Sequence, residues 1–269
     1  MAPAHVHGLS AGAGSIQWVF ALPYLLAVGG YLAAMSIDRR RGRRWPPARC
    51  VNWVAGCTAA LVGVMAPLVV PGASLFVGHM AAHLLVGMLA PLLLVLGAPI
   101  SLALRTLDVV PARRLSRILR SAPVRLLTIP AVAAALNVGS LAALYLTPLH
   151  SLAQVPLYHL VLMGHFLIVG CLFTAAIVPV DPSPHRSSIR IRVVVLVLTL
   201  AAHAVLAKLI YAYPPSGVGV GEAETAAQLM YYGGDAVDLV LLFLLFAQWY
   251  RATGRRFLRP SISTPAEKA

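Results

Sequence analysis

Two histidines stand one helical turn apart inside a strongly apolar stretch, "GHMAAHLLVGMLAPLLLVLGAP" (residues 78–99). Residues four positions apart share one face of a helix, so His79 and His83 point the same way. Neutral imidazole is a common metal ligand, and it can also relay protons. An ionisable side chain at membrane depth indicates a functional site by default. The stretch therefore predicts a buried polar site.

Later apolar stretches add further side chains of this kind. His159 and His165 lie in "HLVLMGHF", His203 in "AAHAVLAK", and Asp235 and Asp238 in "MYYGGDAVD". A carboxylate facing lipid costs about 2.5–3.5 kcal/mol on the insertion scale, so we expect both aspartates to have partners.

The chemistry available to such a set is metal binding or proton transfer. Imidazole with thioether suits copper, and imidazole with carboxylate suits zinc, iron or copper. Met80 and Met163 stand close to the histidines in sequence, which favours copper, Cu(I) especially. Methionine is also an ordinary core residue. A haem would need one or two axial ligands and a large apolar pocket, and histidines near one end of several helices fit that alternative as well.

The composition indicates the elements that must hold these residues. Of the 269 residues, 59% are hydrophobic and only 11% are charged, and the mean hydropathy is +0.83. A soluble domain has about 25% charged residues. The sequence therefore predicts an integral membrane protein, and we interpret the net charge of +13 as a topology signal rather than as a nucleic-acid interface.

A membrane-spanning helix needs about 20 mainly apolar residues. Seven stretches qualify: about 16–37, 51–71, 75–104, 126–146, 156–179, 190–211 and 226–250. In the third, Pro91 and Pro99 are expected to kink or end the helix. We predict an all-α bundle of seven transmembrane helices in one domain, residues 1–255, followed by a short polar, disordered cytoplasmic tail, residues 256–269.

The basic residues are distributed on one side of this bundle. All 21 Lys and Arg residues except Lys208 fall in the segments that follow the first, third, fifth and seventh spans. Cytoplasmic loops carry the excess of Lys and Arg, so the N-terminus is predicted outside and the C-terminus inside.

Depth can then be counted along each span at 1.5 Å per residue. One residue from each of five spans falls about 12–14 Å below the outer surface: His83, Asn137, His165, His203 and Asp235. A level one turn nearer the outside holds His79, His159 and Lys208, with Gln228 and Tyr231, whereas Asp238 is one turn deeper. This layering predicts one site that opens outward. Its expected metal ligands are His79, His83, His165, His203 and Asp235. Its expected supporting or access residues are His159, Met80, Met163, Asn137, Gln228, Tyr231 and Asp238.

At these residues the sequence resembles the CtaG-type cytochrome c oxidase assembly factors of Gram-positive and related bacteria. The resemblance is carried by "HMAAHLLVGMLAPLLLVLGAP", "HLVLMGHFLIVGCLF", "VPVDPSPHR", "AAHAVLAKLIY" and "AQLMYYGGDAVDLVLLFLLFAQWYR". It implies a multi-pass protein of the bacterial plasma membrane that helps to make a haem–copper oxidase, by copper delivery or insertion at the outer face. The family's membrane histidines would fall on His79, His83, His165 and His203, and its acidic or amide groups near Gln228 and Asp235.

Three alternatives stay open beside a copper chaperone. A copper or proton transporter needs polar residues through the inner halves of the spans, and few occur there beyond Asp238, Asn52 and the cysteines. A haem-binding membrane protein and a metal-free assembly scaffold are the others. No Walker loop or GxGxxG occurs, and delivery needs no turnover, so we expect no enzyme. The expected partners are an oxidase subunit, an extracytoplasmic copper donor and membrane lipid, without nucleic acid.

Overall fold

The computed structural model describes residues 8–69, 75–147, 149, 156–183 and 185–257. Within these ranges the chain forms helices joined by short loops, with no β-strand. The predicted all-α fold is confirmed.

The helices follow one another closely along the chain. In order they are α1 (Gly8–Arg40), α2 (Pro47–Val69), α3 (Leu75–His83), a π-helical turn (Leu84–Leu89), α4 (Ala90–Leu96), α5 (Pro99–Thr106), α6 (Val109–Leu119), α7 (Ala122–Leu127), α8 (Pro130–Leu146), α9 (Pro156–Ile177), α10 (Ile189–Ala212) and α11 (Val220–Phe257).

Six helical stretches in the described part of the chain are long and apolar enough to cross a membrane, which supports a multi-pass membrane protein. They are Ala21–Arg40, Pro47–Met65, Phe76–Thr106, Tyr158–Ile177, Ile189–Ala212 and Val220–Thr253. The predicted fourth span appears as α8, an apolar helix of only 17 residues. A seventh span and the orientation therefore stay predictions. Of the predicted tail, α11 includes residues up to Phe257, and residues 258–269 lie outside the described part.

Two prolines interrupt the predicted third span, as expected. Pro91 has no N–H, so the carbonyl of Gly87 loses its α-helical donor. The residues just before Pro91 form the π-helical turn, in which hydrogen bonds run from i to i+5. Further on, Ala98 takes a left-handed conformation with φ of 51° and Pro99 starts α5. The third span is thus a rod of three segments, α3, the π turn and α4, followed by α5.

This rod lies in the middle of the bundle. It packs against α2, α9 and α11, while α10 packs against α8 and α11, and α1 lies outside against α2 and α5. Large apolar side chains fill the space around it. In the half near α3 these include Met80, Met163, Phe166 and Met230, all at most 1% exposed.

Side chains from distant parts of the sequence hold the start of the rod and the start of α5, which follows the rod. The backbone N–H of Phe76, at the start of α3, donates to Glu222 Oε1 of α11 at 3.0 Å. At the start of α5, the N–H groups of Ile100 and Ser101 donate to the two carboxylate oxygens of Asp181 at 3.1 and 2.7 Å. Such bonds satisfy amide groups that a helix start leaves without partners, and they position the histidine-bearing segment.

The arginine-rich end of the bundle contains a buried ion pair. Asp38 of α1 is fully buried, and its Oδ2 lies 2.9 Å from Nη2 of Arg105 on α5. Arg105 Nε also donates to Asp38 Oδ1 at 3.1 Å. Beside this pair, Trp45 Nε1 donates to the hydroxyl of Tyr31, which donates to the Gly97 carbonyl at 2.7 Å. These contacts fasten α1 to the end of the rod.

Candidate functional site

Two buried histidines from different helices face a common space. His83, at the end of α3, is 2% exposed, and His203 of α10 is 5% exposed. Their ring centroids are 6.1 Å apart, with planes tilted by 36°. Both ring nitrogens of His83 and Nε2 of His203 are buried without a hydrogen-bond partner among the described residues. Leaving such a group unsatisfied costs about 1–3 kcal/mol, so these nitrogens indicate a place for a bound ion or water.

A small cavity of about 20 Å³ is lined by both of these histidines. That volume suits one water molecule or one bare ion. The cavity is lined by residues of the rod and of four surrounding helices. Its polar lining consists of Asn137 of α8, Thr174 of α9 and Thr199 of α10, together with Asp238 of α11 and the two histidines. The five spans that were predicted to share a polar layer do meet here.

Met88 belongs to the same lining, although the sequence did not single it out. In a regular α-helix a residue five positions after His83 would lie about 140° round the axis from it. The π-helical turn Leu84–Leu89 changes this relationship because its hydrogen bonds run from i to i+5, so that each turn contains more residues than an α-helical turn. Met88 and His83 therefore reach the same cavity. The only sequence signal was Pro91, whose effect on the helix ahead of it could have been anticipated.

Glycines make room for the two imidazoles. A Cβ on Gly87 would lie 3.0 Å from Nδ1 of His83. A Cβ on Gly234 of α11 would collide with the His203 ring, and one on Gly170 of α9 with the Gly87 carbonyl. The helices around the site thus approach each other at positions without side chains.

A second histidine pair lies one turn along α3. The rings of His79 and His159 have centroids 6.0 Å apart, at 62° to each other. Tyr145 of α8 presents its ring edge to His79, also at 6.0 Å, and its hydroxyl donates to the sulfur of Met80 at 3.8 Å. Nε2 of His159 is buried without a hydrogen-bond partner in the described structure. The four histidines form two pairs at two levels, and His79 and His83 connect the levels along one helix.

His165 is not brought to either pair. Its side chain is exposed, on the same face of α9 as Val161 and Ile168, which are 63% and 62% exposed. The inward face of α9 instead carries Met163 and Phe166, each 1% exposed. Counting residues along a span gives depth but not direction round the helix, which is why depth alone grouped His165 with the buried histidines.

The remaining predicted residues fall into three groups. Asp235 is partly buried outside the cavity lining, where it interacts electrostatically with His203 and Asp238. Gln228 is exposed, and the Tyr231 ring lies under the ammonium group of Lys208 at 5.6 Å. The predicted methionines Met80 and Met163 belong to the apolar core.

In the described ranges, no three His, Cys, Asp or Glu side chains converge on a point that could hold a metal ion. The donor set at the cavity is therefore two imidazoles and one thioether, with amide, hydroxyl and carboxyl groups beside them. Such a set can bind one soft or borderline metal ion.

The amino-acid sequence is similar to those of three mycobacterial proteins. The chain is 37% identical over 188 residues to an uncharacterized protein of Mycobacterium bovis and, equally, to one of Mycobacterium tuberculosis. An uncharacterized protein of Mycobacterium leprae is 35% identical over 183 residues. These matches cover 67%, 67% and 65% of this chain but 28% of each relative, so the chain spans little more than a quarter of their length. No solved structure matches the chain significantly.

The family comparison covers most of the molecule. Residues 29–252 match the family described as cytochrome c oxidase caa3 assembly factor (Caa3_CtaG), which includes the rod, both histidine pairs and α11 through the Asp235 region. The expected family is confirmed: this chain belongs to the cytochrome c oxidase caa3 assembly factor family.

Proposed function

We propose that this protein assists the assembly of a haem–copper cytochrome c oxidase by holding Cu(I) between His83 and His203 and passing it to an oxidase subunit. The family supports the process, since its members are described as cytochrome c oxidase caa3 assembly factors. The observation that carries the metal is the pair of buried imidazoles with unpartnered nitrogens on a cavity of about 20 Å³. The role needs no turnover and so no catalytic residue.

The spacing of the two rings fits one shared ion. A bond from a transition metal to an imidazole nitrogen, as in zinc sites, measures about 2.0–2.1 Å, so two rings on opposite sides of one ion have centroids about 6 Å apart. The His83 and His203 centroids are 6.1 Å apart. Because a cavity of about 20 Å³ suits a single ion, the two histidines would bind one ion rather than two.

The kind of donor favours copper. Imidazole accepts zinc, copper, iron and nickel, whereas a thioether selects for Cu(I). Met88, whose side chain carries a thioether, lines the cavity. Zinc sites that lack cysteine usually use three or four imidazole and carboxylate ligands, and no three such side chains in the described ranges converge closely enough to hold an ion. Haem is too large for this cavity of about 20 Å³. Pockets that bind cofactors and other small molecules measure about 300–1,000 Å³.

The groups around the cavity would orient the ligands. Metal-bound imidazoles usually hydrogen-bond to a neighbouring carboxylate, carbonyl or water through their second nitrogen. Asp238 lines the cavity, and Asp235 acts electrostatically on His203. We assign both aspartates this supporting role, with Asn137 and the two threonines as polar lining.

The outer pair would give access to the site. His79 lies one turn from His83 on α3, and His159 faces it from α9. With the orientation that the arginine distribution predicts, this pair lies between the site and the extracytoplasmic side of the plasma membrane. An ion from an extracytoplasmic donor would meet His79 and His159 first and His83 and His203 second.

The test is the copper content and the Cu(I) affinity of the detergent-purified protein. We expect about one copper per chain in the wild type and a loss of at least about tenfold in affinity in His83→Gln and His203→Gln, because each change removes an imidazole ligand. His165→Gln is the matched control, since its side chain is exposed, and it should bind copper like the wild type. Thermal unfolding with and without Cu(I) shows whether each variant is folded, because a bound ion stabilises only the state that binds it. Equal copper binding by all four proteins, or none by the wild type, would contradict the proposal.

A further inference from the structure

A second, much larger cavity lies on the opposite face of α9. It is a cleft of about 450 Å³ between α9, α4 and the α6–α7 segment. Ile168 and Ala175 line it from α9, Leu94 from α4, and Leu119 and Val124 from α6 and α7. Ile168 is 62% exposed, so the cleft opens at the surface of the bundle. The proposed copper site uses none of these side chains.

The apolar part of the cleft has the length of one membrane leaflet. It runs along α9 from Leu167 to the end of the helix at Ile177. Ten residues of helix measure about 15 Å, which is half of the hydrocarbon thickness of about 30 Å. Apart from Thr128, Trp53 and the Cys171 thiol, the polar side chains that line the cleft lie beyond this point, in the loop between α9 and α10. The cleft thus has an apolar body and one polar end.

The polar end carries positive charge that is free to bind an anion. Arg186 is exposed, and its Nη2 donates to the side-chain oxygen of Gln248 at 3.4 Å. Nε2 of His185 is buried without a hydrogen-bond partner in the described part of the chain. The nearby carboxylate of Asp181 already accepts two N–H groups at the start of α5. A phosphate group would receive charge-assisted hydrogen bonds from the arginine and the imidazole.

The neighbouring helix α6 marks the membrane surface at the same level. Arg113 and Arg117 lie on one side of this helix and Leu115, Ile118 and Leu119 on the other, because residues three and four apart share a face. Ile118 is 60% exposed. A helix of this kind lies in the membrane interface with its apolar side toward the acyl chains. Leu119 belongs both to that side and to the wall of the cleft.

From these observations we propose that the cleft binds an anionic phospholipid of the leaflet on the arginine-rich side, with an acyl chain between α4 and α9 and its phosphate against Arg186 and His185. The apolar length, the basic polar end and the interfacial helix all fit this one occupant. A bound lipid would fill the space between α9 and the α6–α7 segment. It would also stabilise the position of α9, the helix that carries His159.

The experiment uses the full-length protein in liposomes that contain a phosphatidylglycerol with a photoreactive acyl chain, or the matching phosphatidylcholine. Cross-linked peptides are mapped by mass spectrometry. We expect phosphatidylglycerol to label the cleft-facing residues of α9, and Arg186→Gln to lower that labelling about fivefold. Arg190→Gln removes an exposed arginine that does not line the cleft and should leave labelling unchanged.

A second pair of variants separates lipid binding from the charge of the surface. Ala175→Phe fills the cleft and should abolish labelling there, whereas Ala201→Phe, at an exposed position of α10, should not. Thermal unfolding confirms that the variants are folded. The proposal would be overturned if both lipids labelled α9 equally and Arg186→Gln left that labelling unchanged. A haem absorption band that Ala175→Phe removes would overturn it too, in favour of a tetrapyrrole in the cleft.

Discussion

Gly234 of α11 lies directly against the imidazole of His203 on α10, so that a Cβ at this position would overlap the ring and lie 2.9 Å from Nδ1. Gly233, its neighbour, meets Leu84 of the π turn in the same way, at 2.6 Å from Cδ1. The two glycines in "YYGGD" therefore let α11 approach both α10 and the rod.

Gly234→Ala is expected to displace the His203 ring. Overpacking of a tight contact costs about 1–3 kcal/mol, and the shifted imidazole would also bind copper more weakly. Thermal unfolding and Cu(I) affinity in detergent measure the two effects. Gly164→Ala is the control, because a Cβ there meets nothing within 4 Å, and alanine is favoured over glycine in a helix by about 0.5–1 kcal/mol. Unchanged stability and affinity in Gly234→Ala would show that the ring is not held as described.

Met88→Leu is expected to weaken Cu(I) binding while the fold persists. Leucine and methionine have similar volumes, and such exchanges usually cost less than about 1.5 kcal/mol of stability. The thioether, however, is lost from the cavity. Met163→Leu removes a thioether from the apolar core instead and should leave copper affinity unchanged. If both variants bind Cu(I) like the wild type, Met88 is not a ligand.

The ion pair of Asp38 and Arg105 should be important for stability. Removing the partner of a buried charge costs about 3–5 kcal/mol, and Asp38 is fully buried. We expect Arg105→Gln to lower the unfolding temperature markedly. Asp108→Ala is the matched control, since its ion pair with Arg41 is 3.7 Å long and exposed, and exposed pairs contribute about 0–1 kcal/mol. Similar losses in the two variants would contradict the assignment.

The orientation of the bundle can be tested with single cysteines. In a chain that lacks Cys50, Cys57 and Cys171, we expect a cysteine at Gly219 to react with a membrane-impermeant maleimide added outside intact cells, and one at Arg44 to react only after the membrane is opened. Both positions are exposed in loops. The expectation follows from the one-sided distribution of Lys and Arg. The opposite labelling pattern would place the histidine pairs nearer the cytoplasm and would exclude an extracytoplasmic donor.

The sequence was sufficient for the fold class and for the helices that form the site. Apolar length located the long apolar helices that the structure describes and the short α8, but it did not predict α6 and α7. Depth counting identified the five spans that line the cavity, because rise per residue is nearly constant in a helix.

The sequence was less informative about which side chain each span contributes. Thr174 lines the cavity from α9 instead of His165, and Asp238 lines it from α11 instead of Asp235. Apolar residues surround all these positions, so hydrophobic periodicity in a membrane helix scarcely distinguishes the lipid-facing side from the packed side. Met88 was missed because the π turn alters the angle between residues that follow His83.

The volume of the inner cavity has a consequence for selectivity. The space of about 20 Å³ at the proposed copper site suits one water molecule or one ion and leaves little room for a full hydration shell. Under the proposed function, an ion held by His83 and His203 would have exchanged most of its water molecules for protein ligands. Magnesium dehydrates reluctantly and prefers oxygen donors, so it would be turned away although it is abundant. The bundle would thus discriminate between ions by their free energy of dehydration as well as by the strength of their bonds to histidine.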